Sequence, residues 1–130
     1  MTDYDSSRPG DVATNETGNL IAASKVEGTG VYNRQGESLG TVYDVMIDKR
    51  AGTVAYAVMS FGGFLGIGES YHPLPWDMLT YDEGQGGYVV DLNKEQFEGA
   101  PYFDDSTPPN WSSPEYTRGI DDFYGRRPML

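Results

Sequence analysis

The clearest structural signal in the chain lies in residues 36–61, GESLGTVYDVMIDKRAGTVAYAVMSF. Two apolar runs, 41–47 and 53–61, flank the segment Asp48-Lys49-Arg50-Ala51-Gly52. A loop that ends in glycine suits a hairpin whose last turn residue needs a positive φ, and an aspartate can start the turn through its own side chain. The pattern therefore predicts a β-hairpin with Asp48 at the start of its turn.

The two arms of this hairpin differ in their hydrophobic pattern. Residues 54–61 are apolar on both alternating faces, which predicts a strand that is covered on both sides. In the first arm the expected inward residues are Val42, Val45 and Ile47, and the change of parity between 42 and 45 predicts a bulge near Tyr43 and Asp44. Such a bulge would bend the sheet toward closure, and Asp44 is expected to satisfy backbone donors that the bulge leaves free.

Three further strands are predicted outside the hairpin. Residues 30–33 form a short strand that pairs with the strand beginning near Ser38, and residues 88–92 form the last strand. Residues 71–76 are extended, because their two prolines lack a donor N–H, and they should form an edge strand. The expected core residues are Val42, Val45, Ile47, Val54, Tyr56, Val58, Leu74, Val89 and Leu92.

Three helical segments are expected. Ser24 is placed to cap a turn over residues 25–27, and Asn93 to cap a turn over residues 94–97 with Gln96 in the capping-box position. In the tail, Ser112 or Ser113 can cap a helix that has Pro114 in its first turn and ends near Gly125. The apolar stripe of this tail helix consists of Tyr116, Ile120, Phe123 and Tyr124. A helix this short must dock to be stable, on its own chain or on a second copy.

Composition limits the possible functions. The chain has 130 residues, no cysteine, and nine Lys and Arg against 20 Asp and Glu, for a formal net charge of −11. The absence of cysteine removes disulfides and thiolate chemistry, and the acidity argues against direct binding to nucleic acid or anionic lipid. We find no signal peptide and no apolar run long enough for a transmembrane segment, so we expect a cytoplasmic protein.

The chain divides into three segments by composition. Residues 1–18 are acidic and poor in apolar side chains, which predicts a disordered leader. Residues 19–103 are expected to form one compact domain. Residues 104–130 are expected to form a proline-rich linker followed by the C-terminal helix.

Catalytic and metal-binding residues are scarce. His72 is the only histidine, and its place in a predicted strand favours a surface or hydrogen-bonded structural role over catalysis. The acidic pairs Asp82-Glu83 and Asp104-Asp105 lack the spacing of a calcium loop and are interpreted as solvated charge. We therefore expect no catalytic residue, no metal site, no cofactor and no enzymatic activity.

Residues 61–68, FGGFLGIG, mix four glycines with four large apolar side chains. A P-loop would need a Gly-Lys-Ser/Thr ending, and a dinucleotide fingerprint would need a following helix, and neither is present. Two interpretations stay open. The segment either folds back over an open barrel end or covers the surface of a partner, as exposed apolar clusters often do.

With these elements placed, residues 28–103 resemble the PRC-barrel family, the small β-barrel of the photosynthetic reaction-centre H subunit and of a ribosome maturation factor. The chain looks most like the stand-alone bacterial members. The resemblance is carried by residues 36–42, Asp48 with residues 52–54, residues 61–68, Pro75-Trp76, and residues 89–92 before Glu95 and Ala100-Pro101.

Taken together, pattern and resemblance indicate an all-β fold, a small PRC-type β-barrel of five or six mostly antiparallel strands with short helical turns and a C-terminal helix. The resemblance implies a non-enzymatic assembly or adaptor module. We expect it to self-associate as a homodimer or larger and to bind a protein partner that the sequence does not identify. The alternative is a small-molecule or ion-responsive sensor. The residues expected to bind a partner are Phe61, Phe64, Leu65, Ile67, Tyr116, Ile120 and Phe123.

Deleting residues 1–18 should leave the melting temperature within experimental error, because a segment with so little apolar material contributes no buried surface. Scanning calorimetry of the full chain and of residues 19–130 makes the comparison. A lower melting temperature for the shortened chain, or slowly exchanging amides within residues 1–18, would contradict the expectation.

Overall fold

The computed structural model describes residues 19–61, 70–97, 99–104 and 106–125. In these ranges it contains six strands, three α-helices and one 3-10 helix. In chain order they are α1 (Ala23–Val26), β1 (Gly30–Tyr32), β2 (Ser38–Asp48), β3 (Thr53–Phe61), β4 (Ser70–Pro75), the 3-10 helix (Trp76–Met78), β5 (Thr80–Asp82), β6 (Gly87–Val89), α2 (Lys94–Phe97) and α3 (Pro114–Phe123).

The strands form one six-stranded sheet in the order β4-β3-β2-β1-β6-β5. Only the β1–β6 pair is parallel, with Val31 opposite Tyr88, and the other pairs are antiparallel. The predicted fold class is therefore confirmed: an all-β domain with six mostly antiparallel strands. The pairing among the described strands is that of an open sheet, with β4 and β5 at its two ends, rather than a fully closed barrel.

The central hairpin joins β2 to β3 as predicted. Gly52 has a φ of 77°, the left-handed conformation that favours glycine. The carboxylate Oδ1 of Asp48 accepts hydrogen bonds from the backbone N–H groups of Arg50 at 3.0 Å and Ala51 at 3.1 Å. The role of Asp48 in starting the turn is confirmed.

The predicted bulge in β2 is present. Val42 lies opposite Met59, and Asp44 lies opposite Val58. Tyr43 is therefore the extra residue on β2, and such a residue bends the strand and re-aims its side chain. The carboxylate of Asp44 accepts a hydrogen bond at 2.8 Å from the backbone N–H of the next residue, as expected.

A second bulge, which the sequence pattern did not predict, lies at Ala55. It separates the pair Met46–Tyr56 from the pair Ile47–Val54. Ile47 is 54% exposed, so its assignment to the core is wrong. The physical reason is that the extra residue shifts the register near the hairpin tip, where the two strands extend past the core.

The core is a single cluster to which the sheet, α1, α2 and the tail all contribute. Val42, Val58 and Leu74 are buried as predicted, and Val45, Val54, Tyr56 and Leu92 are partly buried. In the predicted last strand the buried residues are Tyr88 and Val90. Val89 points to the other face and is only partly buried, so the assignment of Val89 to the core is wrong. The cluster consists of Val26, Val31, Leu39, Val42, Met59, Leu74, Tyr88, Val90, Phe97, Ala100, Ile120 and Tyr124.

One of the two predicted short-helix caps is correct. At α2, the side chain of Asn93 accepts a hydrogen bond from the backbone N–H of Gln96 at 3.0 Å, and the side chain of Gln96 accepts one from the N–H of Asn93 at 2.7 Å. This reciprocal pair is the predicted capping box. At α1 the N-cap residue is Ala22, without a side-chain cap, and Ser24 lies inside the helix, so the cap assigned to Ser24 is wrong.

The tail helix α3 docks on its own chain. Ser113 is at the N-cap position and Pro114 is the first helical residue, although the Ser113 side chain makes no capping bond. Ile120 is fully buried, and Gly125 adopts a φ of 70° just after the helix. Phe123 is 44% exposed and so lies outside the buried face, in contrast to its predicted place in the stripe.

Substituting Val58 with aspartate should lower the free energy of unfolding by several kcal/mol, because the carboxylate would be buried without a partner and would lie opposite Asp44. Urea unfolding followed by circular dichroism measures the change. Ile47→Asp is the matched control: its position is 54% exposed, and a surface substitution changes stability by about 0.5 kcal/mol or less. Equal effects of the two substitutions would contradict the buried position of Val58.

Candidate functional site

Several carboxylates of the described ranges are used for local structure. No group of three or more His, Asp or Glu side chains in these ranges could hold a metal ion. Asp82 accepts a hydrogen bond from the backbone N–H of Gly84 at 2.8 Å, and Asp104 accepts bonds from the N–H of Ser106 at 3.0 Å and from its hydroxyl at 2.9 Å. These carboxylates stabilise turns.

Three aromatic rings form a row on one side of the sheet, which we call the aromatic row: Tyr43, Tyr71 and Phe103. The ring centroids of Tyr43 and Tyr71 are 4.4 Å apart, and those of Tyr71 and Phe103 are 5.3 Å apart with planes tilted by 28°. On the intervening strand β3, the small residue Ser60 lies opposite Tyr71. Tyr43 is 52% exposed, so the bulge presents a large ring to solvent.

A short segment after α2, residues 100–104, holds the row in place and is called the strap. Phe103 and Tyr71 exchange two backbone hydrogen bonds, of 2.9 and 3.0 Å, which attaches the strap to the outer edge of β4. Ala100 is buried in the core, whereas Tyr102 is 55% exposed. The strap therefore places Phe103 beside Tyr71 and Tyr102 beside His72, two successive residues of β4 that point to opposite faces of the sheet.

His72 lies beneath the strap. It is 4% exposed, and its Nε2 lies 3.1 Å from the hydroxyl of Ser70, whereas its Nδ1 makes no hydrogen bond. Burial lowers the pKa of His72, and the carbonyl of Pro101, which lies near the ring without completing a hydrogen bond of good geometry, opposes that shift. The expected hydrogen-bonded position is confirmed, and the surface alternative is wrong. The rings that pack against it, with centroid distances of 5.5, 5.9 and 5.9 Å, are Phe61, Phe97 and Tyr102.

The tail is attached to the sheet by a separate polar and aromatic contact. The hydroxyl of Tyr56 donates a hydrogen bond to the carboxylate of Asp121 in α3 at 2.9 Å. The Tyr56 ring also lies 5.7 Å from that of Trp111, which in turn packs edge-on against Tyr116 at 5.3 Å. Burial raises the pKa of the Asp121 carboxyl, and the bond from Tyr56 opposes that shift.

A family model for the PRC-barrel domain matches residues 18–97, a range that contains all six described strands. The chain belongs to the PRC-barrel family. This confirms the resemblance on which the fold expectation rested. A comparison with curated proteins found no significant match. The helices of the described ranges are all too short or too polar to cross a membrane.

The PRC-barrel match ends at the last residue of α2. The strap and α3 lie beyond it, yet Ala100, Ile120 and Tyr124 belong to the core cluster. In this PRC-barrel protein, therefore, the segment that follows the family domain completes the hydrophobic core.

The predicted partner-binding residues have different environments in the PRC barrel. Phe61 is partly buried and packs against His72 and Phe97. In the tail, Tyr116 is partly buried, Ile120 is fully buried and Phe123 is exposed. Of the described members of the set, only Phe123 offers a large exposed surface. Three members lie outside the residues that the structure describes: Phe64, Leu65 and Ile67.

The aromatic row was not among the predicted contact residues. A partial signal was available at Tyr43, because the predicted bulge included it. The pairing of Tyr71 with Phe103 joins β4 to a segment that follows α2, and no local pattern indicates such a contact. Tyr102 and Phe103 lie at the end of the predicted domain, residues 19–103, and the sequence interpretation assigned them no contact.

Replacing Tyr56 with phenylalanine should lower the free energy of unfolding by roughly 1 kcal/mol, the usual net contribution of one hydrogen bond, because Asp121 loses its donor. Urea unfolding measures the overall effect, and amide exchange at Tyr124, whose N–H bonds to the Ile120 carbonyl at 3.2 Å, reports on α3. Tyr43→Phe is the matched control, since it removes a hydroxyl from an exposed ring. A Tyr56→Phe protein as stable as the wild type would contradict the role of this bond.

Proposed function

We propose that this PRC-barrel protein is a non-enzymatic module of the cytoplasm that self-associates and serves as an assembly platform for a protein partner. The observation that carries the proposal is the aromatic row, in which the ring of Tyr43 is exposed. Aromatic side chains are enriched in the buried centres of protein interfaces, where they supply large contact areas. Barrels of this family often take part in protein interactions, which supports the same class of function.

The row is well suited to binding because its backbone is already ordered. Tyr71 lies in β4, Tyr43 lies in β2, and Phe103 is attached to β4 by two backbone hydrogen bonds. Rings held in this way lose little conformational entropy on association. Tyrosine and phenylalanine also have few rotatable bonds, so a large area is buried at a small entropic cost.

A second copy of the chain is the occupant that we favour for this surface. Twofold pairing is the commonest form of self-association, and it places the same patch on both sides of the interface. A row of stacked rings can pack against an identical row. The net charge of −11 opposes the approach of two copies, so higher salt should strengthen association.

The alternative, a small-molecule or ion-responsive sensor, has one supporting feature. An open cleft beside β5 and β6 is lined by polar residues that include Thr80 and Glu83. At its rim, Arg34 Nε lies 3.5 Å from Asp91 Oδ1, but the two side chains are 69% and 79% exposed. Exposed ion pairs contribute little binding or folding energy. A ligand-dependent rise in melting temperature would favour this alternative over the assembly module.

Self-association is tested by light scattering and sedimentation from about 1 µM to about 300 µM protein, a range that brackets micromolar dissociation constants. We expect a concentration-dependent dimer or larger species that is more stable at about 500 mM than at about 50 mM salt. Tyr43→Ser should weaken association by roughly tenfold or more, as loss of an aromatic interface residue commonly does. A chain that stays monomeric throughout would contradict the proposal.

Ile47→Ser is the control for general loss of surface hydrophobicity, because Ile47 is 54% exposed and Tyr43 is 52% exposed on the same strand. Equal weakening by both substitutions would discard the aromatic row as the contact surface. The double variant Phe64→Ser and Phe123→Ser tests the contact residues predicted from sequence. If only this variant dissociates the assembly, self-association stands and the contact surface is the predicted one.

A further inference from the structure

His72 connects its own strand to three other elements of the fold. It lies in β4, Phe61 of β3 and Phe97 of α2 pack edge-on against its ring, and Tyr102 of the strap covers it. It is also the only histidine in the chain. A buried imidazole is a candidate for a pH-dependent contact, because it is the side chain whose charge changes near neutral pH.

The surroundings of His72 suit the neutral ring only. From β4 it meets the hydroxyl of Ser70, and from β3 it meets Phe61 and its cross-strand partner Met59. From α2 it meets Phe97, and from the strap it meets Tyr102 and the carbonyl of Pro101. The titratable group in this set is the Tyr102 phenol.

A charged ring would therefore lack compensation. No carboxylate of the described ranges forms an ion pair with His72. The imidazolium form carries two N–H donors, and in the closed structure Nε2 has Ser70 while Nδ1 has only the nearby carbonyl of Pro101, which completes no hydrogen bond of good geometry. Burying a charge without a counter-ion and a donor without an acceptor is strongly unfavourable.

The strap is the element that can open locally. Its described backbone bonds to the sheet are the pair between Phe103 and Tyr71, next to His72 in the chain. The stacking of Phe103 on Tyr71, the contact of Tyr102 with His72 and the burial of Ala100 add to these bonds, whereas β4 pairs with β3 over six residues. Local opening takes place where few backbone bonds and little buried area hold a segment.

We propose that His72 is a pH-sensitive clasp: protonation of its ring releases the strap, residues 100–104, from β4 while the six-stranded sheet stays folded. The closed state disfavours the proton, since burial lowers the pKa of His72. Once released, the ring is hydrated and has its ordinary pKa of about 6.5. Opening therefore takes up one proton below that pH, and the opening constant rises about tenfold per pH unit until the lowered pKa of the closed state is reached.

Opening also has a consequence for binding, which rests on the proposed function. Release of the strap removes Phe103 from the aromatic row. Association through that surface should then weaken in mild acid. This weakening of association is opposite in sign to the effect expected from general acidification. Protonating carboxylates in a chain of net charge −11 reduces repulsion between its acidic groups.

The clasp is tested by NMR on the full chain at a concentration where light scattering shows a monomer, so the outcome is independent of self-association. The single histidine gives one imidazole signal, whose titration we expect below the ordinary range. Amide exchange of Phe103 reports on the strap, and that of Val42, whose N–H bonds to the Thr29 carbonyl at 2.8 Å, reports on the sheet. Between about pH 6.5 and pH 5.5 the opening constant at Phe103 should rise by up to about fivefold while that at Val42 stays constant.

His72→Phe should remove the pH dependence at Phe103, and His72→Gln, which is polar but does not titrate, should do the same if phenylalanine disturbs the packing. Three results would overturn the clasp. The first is an opening constant at Phe103 that does not change with pH. The second is joint opening of the Phe103 and Val42 amides, as in global unfolding. The third is a wild-type pH dependence in both His72 variants, which would mean that carboxylates cause it.

Discussion

Two-sided burial of β3 is the constraint on which the rest of the structure depends. Three successive residues of this strand, Ala57, Val58 and Met59, are at most 2% exposed. Because successive side chains of a strand point to opposite faces, both faces of the sheet must be covered at this position. The core cluster covers the face of Met59 and Val42. On the side of Tyr56, Trp111 and Asp121 of the tail lie in contact with the strand. A domain that ended with the last residue of α2 would lack these tail contacts.

The bulge at Tyr43 reconciles this constraint with an exposed aromatic side chain on the same strand. Without an extra residue, the alternation of side chains along β2 would place either Val42 or Val45 on the face that points away from the core cluster. The bulge at Tyr43 lets both contribute to the core, the former fully buried and the latter partly buried. The same extra residue leaves a tyrosine ring exposed, where it meets Tyr71 across β3. The bulge that places Val42 and Val45 in the core therefore also exposes the ring of Tyr43 at the surface.

Predictions from the sequence succeeded where the physics is local. The hairpin turn at Asp48, the bulge at Tyr43 and the capping box at Asn93 each involve residues within a few positions of one another, and all three are present. The cap assigned to Ser24 is a local error, whereas the other errors have non-local causes. Exposure of Ile47 depends on a register shift on the opposite strand, and the burial of Ile120 depends on where the tail returns to the sheet. The aromatic row requires Phe103 to meet Tyr71, a contact that no periodicity encodes.

The parallel junction between β1 and β6 has a consequence for the order of folding. Val31 and Tyr88 come from opposite ends of the family domain, so their pairing closes the longest loop in the sheet, whereas β2 and β3 are joined by a short turn. Contacts between distant residues form late and slow the folding of small domains. At this junction a side-chain carbon on Gly87 would collide with the carbonyl oxygen of Gly30. The pairing with the largest loop-closure cost in the sheet therefore passes through a site where even an alanine side chain would have to displace backbone.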